Sequence, residues 1–243
     1  MSALSKGFRI LEAITAAGAG LTFSRIVDET QLPKGTAHRL LKELVQLSAL
    51  SYDDNTRRYR GALKLASMGA AVTQNYDVRQ IARPHLEDLQ AKTGSVATLG
   101  IRDGEKGIYI DKIEPADFVI RLHSEIGKSF PLHCTAMGKV LLANSDPDTL
   151  AKVTRRKLRR YTENTITDGP ALRRELDAVA ERGYAVDDEE ITRGLVCVAA
   201  PVHTPAGEVT AAVSCTISSF GATLKTIETL ARDVVECAEA ASF

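Results

Sequence analysis

The chain has no tryptophan, and its aromatic residues amount to 5% of 243 positions. It has four cysteines, Cys134, Cys197, Cys215 and Cys237. Four thiols spread so widely in a chain this long do not make a disulfide framework, so they are expected to be reduced. No stretch approaches the roughly 20 apolar residues that cross a bilayer, which excludes a membrane-spanning helix. The N-terminal MSALSKGFRILEAITAAG lacks a compact apolar run ending in a small-residue cleavage site, so no secretory signal is expected. These absences together imply a cytoplasmic protein. Phosphate-binding and nucleophile-elbow patterns are missing too: there is no P-loop, no GxGxxG and no GxSxG. No CxxC or HxxxH spacing suggests zinc, and neither a metal nor a cofactor is expected.

Net charge is also lacking, with 31 Lys+Arg against 31 Asp+Glu. That balance argues against a nucleic-acid binder until its distribution is examined. Residues 1–62 hold nine basic and six acidic side chains, whereas the remainder holds 22 and 25. Within 34–60 the ratio is six to three. A basic module joined to a near-neutral one is implied. With 44% hydrophobic residues, the chain can bury a substantial core.

The hydrophobic period organises the basic part. Leu4, Phe8, Leu11 and Ile14 fall at helical spacing, and Gly18 and Gly20 end that run. Thr22 is placed to cap a second helix, FSRIVDET, which buries Phe23, Ile26 and Val27. Pro33 suits the first turn of a third helix within QLPKGTAHRLLKELVQL, whose inner stripe is Leu40, Leu41, Leu44 and Leu47. ALSYDD and RRYRGA then form the arms of a β-hairpin about an Asp-Asn turn. Three short helices and a hairpin are the order of a winged helix-turn-helix, whose third helix enters the major groove of duplex DNA.

The outward face of that third helix carries the chemistry expected of a reader. Arg39 and Gln46 can make bidentate contacts with base edges, and Lys34, His38 and Lys42 flank them. Gly35 and Thr36, at the helix start, can meet a phosphate through backbone N–H and hydroxyl groups. Arg57, Arg58 and Arg60 on the wing can neutralise further phosphates or enter a narrow minor groove. The alternative is an ordinary solvated amphipathic helix. The neighbouring short helix and Arg-rich hairpin favour the DNA reading.

Residues 63–92 read as helical, broken or bent near Asn75 and at Pro84, with a linker helix over 63–76. From residue 95 the period changes. SVATLGI, GIYIDKIE and FVIRLH are expected strands, the first two joined through DGEK. TAMGKVLLAN opens a helix capped by Thr135. Another spans about 169–182, burying Leu172, Leu176 and Val179, with Gly183 as its stop. YAVDDEE, LVCVAAPVHT and EVTAAVSCTIS follow as strands, the last two turning through PAG. A closing helix over 222–240 buries Leu224, Ile227, Leu230 and Val234. The expected fold class is α+β: a winged helix-turn-helix over 1–62, the linker helix, and an α+β domain with a mostly antiparallel sheet over 77–243.

SKGFRILEAI, LPKGTAHRLLKEL and TRRYRGALKLASMG resemble the IclR family of bacterial transcriptional regulators. IARPHLEDL, PLHCTAMGKVLLA, RYTENTIT, RGYAVDDEE and GLVCVAAPV extend the resemblance, in order, over nearly the whole chain. It implies a GAF-like effector-binding domain after the winged helix-turn-helix. It also implies promoter binding as a homodimer or dimer of dimers, and repression of a catabolic operon until a small organic acid (aromatic, keto or sugar acid) binds. Two positions depart from the family pattern: Gln31 where glycine is usual, and Gly35 where serine is usual. The first implies a left-handed backbone on a residue with a side chain.

The resemblance also places an effector pocket between the sheet and the helix starting near Thr135. Its matching positions are Leu122, Phe130, Ala136, Met137, Gly138, Asp187, Leu195, Cys197, Ser214 and Thr216. Ala136, Met137 and Gly138 would offer backbone N–H groups to a carboxylate. Ser214 and Thr216, alternate residues of one strand, would donate hydroxyls, and Asp187 would accept from a ligand hydroxyl. Leu122, Phe130, Met137 and Leu195 would wall the pocket. Plain core and sheet surface are the alternative for these residues. Three other functions are weighed beside regulation by a ligand: metal or redox sensing through His133, Cys134, Cys197 and Cys215; an enzyme with Cys134 as nucleophile; and a DNA-binding protein without an effector. Alternation sets Cys215 against Ser214 and Thr216, and points His133 away from Cys134.

Overall fold

The computed structural model describes residues 2–74, 77–116 and 124–242. It divides between Asn75 and Tyr76 into two compact units.

The first unit begins with α1 (Ala3–Ala16), capped by the Ser2 hydroxyl, which accepts from the Ser5 N–H at 3.1 Å. A two-residue strand, β1 (Leu21–Thr22), leads into α2 (Phe23–Thr30), and α3 runs Lys34–Gln46. The wing is β2 (Leu50–Asp53) and β3 (Arg58–Gly61), with β1 pairing on the far side of β3 in an antiparallel order β1-β3-β2. Ile10, Ile14, Ile26, Ala37, Leu40, Leu41 and Leu50 are buried together, so each helix contributes one apolar stripe to a shared core. The helix α4 (Leu63–Gln74) closes this unit.

Three expectations here are corrected. Leu47 is 60% exposed: α3 ends at Gln46, and the inner stripe is completed by Ala37 and not by Leu47. Thr22 has the extended backbone of a cap, but its hydroxyl makes no capping bond. Its backbone is already used in pairing β1 to Arg58 of β3. Pro33 precedes the first helical residue, Lys34, and does not occupy it.

In the second unit α5 (Asp77–Thr93) continues as one helix through Pro84, where a break or bend was expected, so the helix is not broken there. Burial of Val78, Ala82, Leu86 and Leu89 along one face outweighs the single backbone hydrogen bond a proline forfeits. The sheet comprises β4 (Val96–Asp103), β5 (Lys106–Ile113), β6 (Ser129–Pro131), β7 (Ala185–Asp188), β8 (Leu195–His203) and β9 (Val209–Ser218). All neighbours are antiparallel, in the order β6-β5-β4-β9-β8-β7. The expected strand FVIRLH, with Leu122, lies outside the described residues.

The helices are α6 (Ala136–Ala143), α7 (Pro147–Thr154), α8 (Gly169–Arg182) and α9 (Leu224–Ala240). One sheet face packs on α5 and α9 through Leu99, Val198, Val213, Cys215 and Val234. The other packs on α6 and α8 through Ala199, Ala212, Met137, Val140, Leu172 and Leu176. Leu224, expected in the core, is 74% exposed, because it is the first residue of α9, before the helix reaches the sheet.

Candidate functional site: a reading helix and a sensor face

On α3 the buried residues Ala37, Leu40 and Leu41 fix which side points out. Lys34, Gly35, His38, Arg39, Lys42 and Gln46 are all exposed, and Thr36 is half-buried. At 100° per residue, His38, Gly35, Lys42, Gln46 and Arg39 span one arc of about 100°, opposite the core stripe. Arg39 is held by Glu43 one turn on, at 2.8 Å, in a pair exposed on both sides. His38 sets its ring edge against Phe23 of α2, centroids 6.1 Å apart. The helix is positioned by Gln31, whose φ of 53° and ψ of 29° are left-handed. Its N–H donates to the Val27 carbonyl at 2.8 Å and its side-chain amide to the Asp28 carbonyl at 2.6 Å. The strain inferred from sequence is therefore real and partly offset by these bonds.

On the wing, Asp53 accepts the N–H groups of Asn55 and Thr56 at 2.9 and 3.1 Å, closing the turn. These hydrogen bonds, that from Thr56 first, hold its carboxyl below the usual range. Arg57 and Arg60 are exposed, Arg57 with a left-handed φ of 52°. Arg58 is used otherwise: its guanidinium donates to the Gly20 carbonyl at 2.8 Å, tying the wing to the α1–α2 turn. Gly20 has φ +77°, and a Cβ there would lie 2.6 Å from the Tyr59 carbonyl oxygen, so glycine is required.

In the second unit, of the residues matched to an effector pocket, Asp187, Cys197, Ser214 and Thr216 lie together on the sheet, and Ala136, Met137 and Gly138 open α6. Register sets Ser214 between Thr98 and Ala199, and Thr216 between Val96 and Cys197, with Asp187 beside Cys197. Each polar group already has a partner. Ser214 and Thr98 hydroxyls share a hydrogen bond of 2.7 Å, the Thr216 hydroxyl lies 3.2 Å from the Cys197 sulfur, and Asp187 accepts the Glu190 N–H at 2.8 Å. Leu195, at the start of β8, is half-buried. Above them, Thr135 caps α6 by accepting the Gly138 N–H at 3.0 Å. That corrects one expectation: Gly138 N–H is not free. Among the described residues only the Ala136 and Met137 N–H groups of that trio meet no acceptor.

The space over the face is filled from within. A Cβ on Gly100 would lie 2.9 Å from the Phe130 ring and 3.2 Å from the Met137 methyl, and Phe130 sits closer still over Gly107. A cavity of about 510 Å³ opens beside this packing, lined by Tyr109, Phe130, Thr135, Thr162, Ile191 and Arg193, among others. The sequence reading missed all of these except Phe130. They come from separate strands and loops, and the signal nearest to hand was Arg193, a cation inside the ITRGL junction between β7 and β8.

Behind α6 lies an ion cluster that the sequence reading also missed. Lys139 is 1% exposed; it contacts Glu190 and the Val186 carbonyl and lies 3.3 Å from Glu175. Burial pushes the Asp187 carboxyl up to about 7, with the Glu190 charge acting in the same direction and Lys139 against it. Burial raises the thiols of Cys134 and Cys197 as well, with Asp187 adding to both. A neutral, buried thiol is no nucleophile. His133, whose pKa burial lowers, donates Nε2–H to the Arg159 carbonyl at 2.9 Å and faces away from that role. Cys215 lies on the opposite sheet face, as alternation required, 3.5 Å from the Thr93 hydroxyl.

A helix-turn-helix with a wing, followed by an α+β unit, is the architecture of a DNA-binding transcriptional regulator. The comparisons with known proteins identify the class. Residues 3–54 match the IclR helix-turn-helix domain, and residues 70–243 match the C-terminal domain of the bacterial transcriptional regulator IclR. The chain belongs to the IclR family of transcriptional regulators, which are not enzymes. It is 32% identical to the DNA-binding transcriptional repressor YiaJ of Escherichia coli over 219 residues, 89% of this chain and 78% of that one. An IclR regulator from Alicyclobacillus acidocaldarius has the same fold, with TM-score 0.85 and 30% identity over 99% of this chain and 97% of its own. An IclR homolog from Microbacterium hydrocarbonoxydans, complexed with 4-hydroxybenzoate, gives TM-score 0.87 and 25% identity over 99% and 98% of the two chains. No helix among the described residues is long and apolar enough to cross a membrane.

Proposed function

We propose that this regulator represses a catabolic operon in the cytoplasm and releases its promoter when a small organic acid enters the second unit. The observation that carries the first half is the exposed arc of α3, with Arg57 and Arg60 exposed on the wing. Gln46, Lys42 and, once Glu43 lets go, Arg39 meet base edges; Lys34, Thr36 and the Gly35 N–H meet phosphate. Breaking the exposed Arg39–Glu43 pair costs well under 1 kcal/mol, so it does not block reading.

The acid binds from the 510 Å³ cavity, with Arg193 and the unpartnered N–H groups of Ala136 and Met137 meeting its carboxylate. Phe130 and Met137 move off Gly100, and Ser214, Thr216 and Asp187 exchange their present partners for the ligand. The 4-hydroxybenzoate held by the Microbacterium relative supports a carboxylate of that size. The working form is a homodimer or dimer of dimers. Leu4 and Phe8, one turn apart on α1 and 72% and 58% exposed, are the surface a second copy would cover.

Fluorescence anisotropy on the chain's own promoter fragment tests this. Arg39→Ala and Lys42→Ala should each weaken binding about tenfold with unchanged melting; unchanged affinity in both removes the reading-helix assignment. Arg193→Ala, and Ser214→Ala with Thr216→Val, should blunt release by carboxylic acids while leaving DNA affinity intact. Release at wild-type acid concentrations in both would remove the sensor assignment.

A further inference from the structure

The second unit carries a concentration of positive charge that neither DNA reading nor the sensor cavity uses. Between Thr149 and Thr162 the sequence TLAKVTRRKLRRYT holds six cations and no acid, although residues 63–243 as a whole are acidic. The structure folds this run around a concavity of about 400 Å³ that borders the cavity of Arg193 through Phe130, Pro131 and Tyr161 but does not include Arg193. Its floor is apolar: Leu132, Val153 and Leu158 are buried there. Its rim is basic: Lys106 at the start of β5, and Arg156, Lys157 and Arg159 just beyond α7.

The rim is built and not merely adjacent. His133, 7% exposed, donates to the Arg159 carbonyl at 2.9 Å and so pins the basic turn to the β6–α6 corner. Arg159 stacks over the Tyr161 ring, 4.9 Å from its centroid, and that ring also borders the concavity. Glu105 is the acid in the lining, and it is taken by Arg156, at 3.1 Å from one guanidinium nitrogen. Lys106 and Lys157 have no carboxylate within ion-pair distance among the described residues. Four cations over a hydrophobic floor, one of them neutralised, leave a field that a monocarboxylate cannot satisfy.

We propose that this concavity is a second ligand site, for a small anion carrying two or more carboxylate or phosphate groups, held by Lys106, Lys157 and Arg159. A duplex is disfavoured, because a backbone of regularly spaced phosphates needs a continuous ridge of cations, whereas these surround a hollow whose base is apolar. The concavity borders the sensor cavity through Ser129, Phe130, Pro131 and Tyr161, but its cations are its own, and its ligand has a different charge.

Calorimetric titration of the full chain with inorganic pyrophosphate and with citrate tests it. At least one should bind saturably at one site per chain, and raising the salt should weaken it. Lys106→Gln combined with Lys157→Gln should weaken that binding roughly tenfold while leaving promoter affinity and melting unchanged. Three results would overturn the proposal: neither anion saturates the wild type; the double variant binds as tightly; or the double variant loses promoter affinity, which would mean that the patch meets DNA.

Discussion

At the scale of single residues, the clearest departure from ease is Gln31. A left-handed non-glycine backbone costs about 1 kcal/mol, and the exposed amide bond to Asp28 returns only part of it. Gln31→Gly should therefore stabilise the first unit by up to about 1 kcal/mol, a rise of a few degrees in its melting temperature. A lower melting temperature would show that the side chain contributes more than its one bond. Gly35 is the converse: a Cβ there would meet nothing within 4 Å, so the missing serine hydroxyl of the family pattern is a choice and not a steric necessity.

Asp187 gives the second residue-scale prediction. Its carboxyl, raised by burial to about 7, keeps its proton in the folded chain at pH values where the unfolded chain, at about 3.9, has lost it. The folded state thus binds more protons between roughly pH 4 and 7, and stability must fall as pH rises through that window. Glu190, raised by burial, slopes the same way, with Lys139 opposing both. Asp187→Asn can still accept the Glu190 N–H, so it should flatten the slope and equal or exceed the wild type in urea midpoint above pH 7. Parallel wild-type and variant profiles would exclude Asp187 as the titrating group.

At the scale of elements, the sequence made visible what local chemistry dictates. The 169–182 helix carried its own signals in the Leu172, Leu176, Val179 stripe and the Gly183 stop, and the structure has Gly183 at φ 78°. The wing was readable from β-forming arms around Asp-Asn. Two residues cannot display a period, so β1 was invisible, as was the three-residue β6. Helix α7 was missed although Asp146 and Pro147 announce it, Asp146 accepting the Thr149 N–H at 2.8 Å. Resemblance led to the sheet face under α6; the cavity beside it could not be foreseen, since Tyr109, Thr162 and Arg193 meet only in three dimensions. Within α3, Leu41 is fully buried among residues of all three helices, so Leu41→Ala should cost the first unit about 2–5 kcal/mol. Chemical denaturation of residues 1–75 within the full chain, followed by hydrogen exchange, reads that loss. A change below 1 kcal/mol would mean that the three-helix core does not depend on this stripe.

At the scale of the whole molecule, zero net charge is a sum of unlike parts, and the proposed DNA contact depends on the basic part alone. Each phosphate neutralised releases condensed counterions and contributes about −0.9 to the slope of log affinity against log salt. On one protomer the exposed Lys34, Arg57 and Arg60 are ready to serve, while Lys42 and Arg39 are turned to base edges and Arg58 is withheld by Gly20. A pair of protomers on a two-fold operator doubles whatever number engages. Arg60→Gln should then reduce the slope by about 1.8 if two protomers bind and by about 0.9 if one does. Arg58→Gln should instead lower the melting temperature of the first unit, because its contact is internal. A flat salt titration of the wild-type chain would remove duplex phosphate from the mechanism altogether, since no apolar contact reproduces counterion release.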